Sequence, residues 1–186
     1  MNEVASKTCK LPEKFDKISI GIDVAYTKKT NSDYSCAVVL GHSRLGDNFF
    51  VLDVVRVQVQ VLAFGNLLKN LRQEWGSPPI YWFVGGQEKI VAEYLLNVVK
   101  VPIKTLPAKE DKFARAQAVA QAWNSGRIWI PSANKPWLAQ FTAEILSFSG
   151  MDDPHDDQVD ALAAAYIPFA AKRGFRGDLT KQILSF

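Results

Sequence analysis

From Ile18 to Val24 apolar and polar residues alternate, with Ile18, Ile20 and Ile22 on one face and Ser19, Gly21 and Asp23 on the other. The pattern predicts a β-strand that ends in an acid. Two more β-rich runs follow, Cys36 to Leu40 and Phe49 to Val59, separated by Gly41-His-Ser-Arg-Leu-Gly-Asp-Asn, whose glycines and polar residues suit a hairpin loop. The three runs predict an antiparallel meander. Then the period changes. Leu62 to Trp75, Glu88 to Val99 and Asp111 to Asn124 read as helices, while Ile80 to Val84, Pro102 to Leu106 and Ile128 to Ile130 read as short strands. A meander followed by alternating helix and strand predicts a mixed α/β sheet. The last part is helical: Trp137 to Phe148 carries Leu138, Phe141, Ile145 and Phe148, and Asp156 to Lys172 carries Val159, Leu162, Ala163 and Tyr166 at i, i+3, i+4 and i+7.

There is no internal repeat or low-complexity tract, and 186 residues with 48% hydrophobic content describe one domain with a real core, which excludes disorder and collagen-like structure. Residues 1–16 are polar and lysine-dotted and read as a flexible tail, 17–173 as the domain, and 174–186 as a basic tail. Lysine and arginine number 22 against 19 acids, a net charge of +3, too small an excess to establish a nucleic-acid partner by itself. Cys9 and Cys36 lie in no metal-binding pattern and make no disulfide framework, so a reducing, intracellular setting is the default expectation. No apolar run reaches the length of a membrane span, and the amino terminus has no apolar signal core, so no membrane partner is expected.

The sharpest chemistry is His155-Asp-Asp-Gln-Val-Asp-Ala at the start of the last helix. Asp157 and Asp160 are three apart and Asp156 and Asp160 four apart, so their carboxylates converge on one side of the first turn. Ala161 and Ala164 continue that side with almost no side chain, which lets the helix approach a sheet closely. If the sheet offers its first strand there, Asp23 completes a set of oxygen donors suited to Mg²⁺ or Mn²⁺. Such ions activate water and neutralise a phosphodiester in displacement. A plainer reading stands beside this one: acids in a first turn cap the helix and favour its dipole, at about 0.3–1 kcal/mol each. That accounts for Asp156 or Asp157; a strand-end acid such as Asp23 often just starts a turn, and it is Asp23 together with Asp160 that shifts the balance towards a site.

Gly21-Ile-Asp23, Asp111-Lys-Phe-Ala-Arg-Ala-Gln117, Trp123-Asn-Ser-Gly-Arg127 and His155-Asp-Asp-Gln-Val-Asp-Ala161, in that order, resemble the nuclease domain of the tailed-bacteriophage large terminase subunit, an RNase H-like group related to RuvC resolvases. The resemblance runs from about Ile18 to Ala171. It implies a five-stranded mixed sheet (a three-stranded antiparallel meander plus two parallel strands) flanked by helices. It also implies metal-dependent endonucleolytic cutting of concatemeric viral DNA in the cytoplasm of a bacterial host. By resemblance, Asp23, Asp157 and Asp160 are the catalytic and metal-holding acids, and Asp156 is their neighbour. The family usually carries another acid at the end of the fourth strand, where Tyr81-Trp-Phe-Val-Gly85-Gly86 supplies none. Glu88 is the nearest substitute, provided the Gly-Gly turn lets it fold back. Asp53 is a poorer one, two strands from Asp23 and roughly 10 Å away.

The expected substrate is double-stranded DNA, with Lys109, Lys112, Arg115 and Arg127 as phosphate contacts, Lys112 and Arg115 alternatively organising the acidic pocket, and an ordinary solvated charged face as the plain alternative. Lys172, Arg173, Arg176 and Lys181 form a second basic group. His155 is a candidate base or water-positioning group, and equally a plain helix-start residue; His42 reads as an exposed loop residue. Trp82, Trp123 and Trp137 read as core rather than as base-stacking platforms. No GxxxxGK[ST] motif occurs, so a packaging ATPase, small terminase subunit or portal is expected from other chains or domains. Two alternatives remain: a terminase-like module that docks DNA without cutting it, motivated by the missing fourth-strand acid, and an actin-like nucleotide-handling domain, which lacks a second phosphate loop here.

Overall fold

The computed structural model describes residues 1, 7–26, 34–108, 112–150, 153 and 155–170. In chain order the elements are β1 (Lys7–Cys9), β2 (Lys17–Asp23), β3 (Ser35–Ser43), β4 (Asn48–Val57), α1 (Val61–Glu74), β5 (Ile80–Val84), α2 (Glu88–Asn97), β6 (Ile103–Pro107), α3 (Lys112–Asn124), β7 (Ile128–Pro131), α4 (Leu138–Ser147) and α5 (Asp157–Ala170). They build a seven-stranded sheet in the order β1-β7-β4-β3-β2-β5-β6. The meander β2-β3-β4 is antiparallel, and β5, β6, β7 and β1 join in parallel.

The alternation of β2 sorts the two sides of the sheet. Ile20 and Ile22 join Ala37, Val39, Trp82 and the inner faces of α1 and α2, where Phe64, Leu68 and Leu95 pack. Cys36, Val38, Leu40, Tyr81 and Phe83 point the other way, into α3, α4 and α5. Strand β5 is covered on both faces, so all five of its residues are buried and its sequence is a continuous apolar run. Trp82 and Trp123 are core side chains, each 1% exposed.

Helix α5 carries the geometry on which function depends. From Gln158 to Ala170 only Pro168 escapes burial, so the apolar stripe legible in the sequence is one side of a helix enclosed all round. The alanine side lies on β2. Ser19 Oγ donates a hydrogen bond to the Ala165 carbonyl at 2.6 Å. At Gly21 a Cβ would stand 1.9 Å from the Ala161 carbonyl oxygen and 2.2 Å from the Ala165 nitrogen. Only glycine permits so close an approach between strand and helix backbones.

The sheet exceeds the expected five strands by two. Strand β7 was legible as Ile128-Trp-Ile, but its place beside β4, outside the meander, was not. Strand β1 falls in the segment read as a tail; Lys-Thr-Cys is too short to show a period, and it forms by long-range parallel pairing with β7. The Lys7 ammonium also lies 5.0 Å from the Trp129 ring centroid. The C-terminal basic group lies outside the described residues.

The hairpin is shorter than its sequence suggests. Strand β3 runs on through Gly41, His42 and Ser43, and the turn is a single 3-10 turn, Leu45–Asp47, with Gly46 at φ 75°. His42 is therefore a strand residue rather than an exposed loop residue. Its ring stacks on Phe49 at 4.8 Å and lies 5.1 Å from Phe169, with Nε2 3.0 Å from Asp47 Oδ1. Nδ1 is buried with no hydrogen-bond partner among the described residues, an arrangement hostile to a second proton. Burial lowers the His42 pKa from 6.5, outweighing the pull of Asp16. The unfolded chain then binds this proton more readily than the fold does. His42 contributes its full stability above about pH 6.5 and loses it as pH falls towards the lowered folded value. The melting temperature is expected to fall less between pH 7 and pH 5.5 in His42→Phe than in the wild type; equal slopes would contradict the assignment.

Candidate metal centre

The crossing of α5 over β2 fixes which residues meet. Ser19 meets Ala165, and Gly21 meets Ala161. Two strand residues cover about 6.6 Å and four helix residues about 6.0 Å, so the two elements advance nearly in step, in opposite directions. One further step brings Asp23 to the level of Asp157. The first-strand acid and the helical acid are thus brought to the same end of the sheet by glycine and alanine at the crossing.

Asp23 also heads a row across the meander. It pairs with Cys36 on β3, which pairs with Arg56 on β4, and partners in such a row share one face of the sheet. The buried Cys36 thiol is pushed far above its ordinary pKa, by burial first and then by Asp157, Glu144 and Asp23, with Arg56 opposing. Three carboxylates from β2, α4 and α5 therefore act on one buried sulfur. Arg56 itself is nearly enclosed, with Nη2 4.0 Å from Asp157 Oδ2 and Nε 3.8 Å from Glu144 Oε2. Glu144 in turn accepts hydrogen bonds from the Gln158 backbone N–H at 2.7 Å and the Gln158 side-chain amide at 2.5 Å, capping α5 from another helix.

Asp160 is buried one turn further along α5. Arg115 Nη2 donates to both of its oxygens, at 3.2 and 3.1 Å, while the guanidinium lies 5.1 Å from the centroid of Phe83. The contact ties α3 to the acidic first turn of α5. Asp156 stands at the head of α5, where its carbonyl accepts the Asp160 N–H at 2.9 Å. His155 is exposed, its ring edge-on to Tyr34 at 6.1 Å.

The register puts an apolar residue where a fourth-strand acid would stand. Ile22 pairs with Trp82, which puts Phe83 level with Asp23 on the same face. At the start of α2 the Glu88 backbone N–H bonds the Gly85 carbonyl at 3.0 Å, Gly86 takes a left-handed φ of 46°, and Glu88 Oε2 lies 3.8 Å from where a Gly86 Cβ would stand. The Tyr26 hydroxyl, three residues beyond Asp23, donates to Glu88 Oε1 at 2.7 Å. The Tyr26 phenol is pushed up to about 12, chiefly by that bond, then by burial and by the charges of Glu88 and Asp23. Asp53 pairs with Val39 and so belongs to the opposite face of the sheet, a stronger reason against it than distance.

The expected DNA contacts separate. Lys109 lies outside the described residues, and Lys112 is described only as the first residue of α3. Arg127 precedes β7, whose start pairs with the start of β4, at the end of the sheet opposite Asp23. There it binds Asp47 Oδ2 at 3.4 Å and Ser125 Oγ at 3.1 Å. The structure does not bring Arg127 to the acids.

Sequence reading missed Arg56, Glu144 and Tyr26. A signal existed for two of them: an arginine inside the β-run Phe49 to Val59, and a glutamate beside the apolar pair Phe141 and Ile145.

The donor set is all carboxylate oxygen, which matches hard divalent cations. Among the described residues no three histidine, cysteine, aspartate or glutamate side chains converge tightly enough to hold an ion as they stand. Asp157 and Asp160 each lie against an arginine instead, Arg56 and Arg115. The donors fit such an ion by chemistry, and Asp23 and Asp157 are the acids that the crossing brings to one level.

A central antiparallel meander extended by parallel strands, crossed by a helix whose first turn is acidic, defines the RNase H-like class of α/β domains. The family model of the Terminase RNaseH-like domain matches residues 20–168, and the chain belongs to that family. Among solved structures it is similar to the large terminase nuclease of thermophilic phage G20c with bound zinc, at 20% identity and a TM-score of 0.66, covering 88% of this chain and 94% of that one. It is also similar to the nuclease domain of the bacteriophage SPP1 large terminase with bound manganese, at 16% identity and a TM-score of 0.58, covering 84% and 88%. The P22 large terminase nuclease domain matches at 14% identity and a TM-score of 0.63, covering 99% and 95%. No curated protein matches the chain in sequence.

Proposed function

We infer that the chain is a divalent-metal-dependent DNA endonuclease that cuts concatemeric viral DNA during genome packaging in the host cytoplasm. The observation that carries the reading is the Gly21 crossing, which sets the acidic first turn of α5 at the carboxyl end of β2, beside Asp23. Family membership and the manganese- and zinc-bound relatives support it.

In this reading Asp23 and Asp157 hold the ion, Asp160 is the third acid, and Glu88, oriented by Tyr26, serves in place of the fourth-strand acid. Bound Mg²⁺ or Mn²⁺ supplies an activated water and neutralises charge on the scissile phosphate. Arg115 fixes Asp160 and, with Lys109 and Lys112, offers positive charge towards the DNA backbone. Asp156 and His155 border the site as accessory groups. Partners are double-stranded DNA and a packaging ATPase, small terminase subunit or portal supplied by other chains or domains. No described helix is long and apolar enough to cross a membrane.

The test is conversion of supercoiled plasmid to nicked and linear forms. Cleavage is expected with Mn²⁺ or Mg²⁺ and none with a chelator. DNA binding without cleavage at every Mn²⁺ concentration would overturn the endonuclease reading in favour of a docking module.

A further inference from the structure

Arg56, one residue before the end of β4, is an unusual residue for a buried position on a sheet face. Its side chain is only 6% exposed, its guanidinium carbon lies 3.4 Å from the centroid of the Tyr34 ring, and its Nε has no hydrogen-bond partner among the described residues. It meets its acids through charge contacts of 3.8 and 4.0 Å rather than through hydrogen bonds. A buried cation held this way is costly unless the charges around it need it. Among the described residues those charges are Asp157 on α5, Glu144 on α4 and, at the far end of the same cross-strand row, Asp23 on β2.

We propose that Arg56 is a positioning residue, the resident counter-ion of the acid set, holding Asp157 and Glu144 in place without a metal and competing with the divalent ion for Asp157. The proposal rests on the ion-dependent reading above and adds a direction to it. A purely structural arginine helps the ion by ordering its ligands, so its loss weakens binding. A resident counter-ion opposes the ion, so its loss tightens binding while the ion-free protein weakens.

The experiment uses the full chain, with Mn²⁺ binding read by calorimetric titration and melting read with a chelator and with saturating Mn²⁺. Arg56→Met is expected to melt roughly 10 °C lower with chelator, as breaking a buried pair does in a protein of this size. Its Mn²⁺ affinity is expected to rise about tenfold, the effect of removing one like charge about 6 Å away at a dielectric near that of water. Saturating Mn²⁺ should close most of the melting deficit, and Arg56→Lys should recover most of the ion-free stability. Mn²⁺ binding no tighter than wild type in a folded Arg56→Met overturns the proposal.

If Arg56→Met does not fold, Glu144→Gln decides. It leaves Arg56 to Asp157 alone, so Mn²⁺ affinity must fall several-fold, and unchanged or tighter binding contradicts the counter-ion role. A wild type that takes up no Mn²⁺ counts against the metal reading itself. Arg56 is then judged on ion-free melting alone, where an Arg56→Met as stable as wild type overturns the assignment.

Discussion

Asp157→Asn is expected to abolish plasmid cleavage while leaving the fold intact. The substitution keeps the shape of the side chain and removes one charge, so the helix start, capped by Glu144 through Gln158, stays formed. What disappears is one carboxylate oxygen of the acid that the crossing brings level with Asp23. Lewis-acid stabilisation of a phosphodiester in displacement is worth several kcal/mol, and a loss of about 4 kcal/mol is roughly a thousandfold in rate. Two readouts separate this from misfolding: cleavage falls by at least that factor, and Mn²⁺ no longer raises the melting temperature. Glu88→Gln should fall short of this loss if Glu88, held by Tyr26, serves as the proposed substitute for the fourth-strand acid. Full activity in Asp157→Asn would discard the site.

Gly21→Ala is expected to have nearly as large an effect without touching an acid. Overpacking a core typically costs about 1–3 kcal/mol, and relief usually comes from a side chain that moves. At Gly21 the obstructing atoms are helix backbone, the Ala161 carbonyl at 1.9 Å and the Ala165 nitrogen at 2.2 Å. The helix must lift, at a cost above about 3 kcal/mol, which is roughly 10 °C of melting temperature for a chain of this length. Asp157 and Asp160 lift with it, so cleavage falls together with stability. Gly85→Ala is the control. A Cβ there meets Ala108 at an ordinary 3.5 Å, and both properties should hold. A Gly21→Ala protein as stable as wild type would show that the crossing does not set the site.

The alternation of Ile18 to Val24 and the spacing of Asp157 and Asp160 made both halves of the site legible, because each is written in local periodicity. Their meeting was legible from the helix side alone, in Ala161 and Ala164, and the part played by Gly21 shows only at the crossing. Arg56 and Glu144 escaped notice because a buried charge is defined by its partners, and these come from β4, α4 and α5. Strand β1 escaped because three residues carry no period. The place of Arg127 was not legible for a related reason: a motif shared with a family shows that a residue is present, and only the pairing of β7 with β4 shows that it lies at the far end of the sheet. His42 read as a loop residue because Gly41 mimicked a turn, whereas Gly41 sits where a Cβ would meet the Phe15 ring at 2.7 Å.

The most direct test is a crystal of the wild-type chain soaked in Mn²⁺, with anomalous scattering measured at the manganese edge. The account predicts a peak bounded by carboxylate oxygens of Asp23 and Asp157. No peak there in a well-soaked crystal, or one ligated only by residues distant from the β2–α5 crossing, would contradict it.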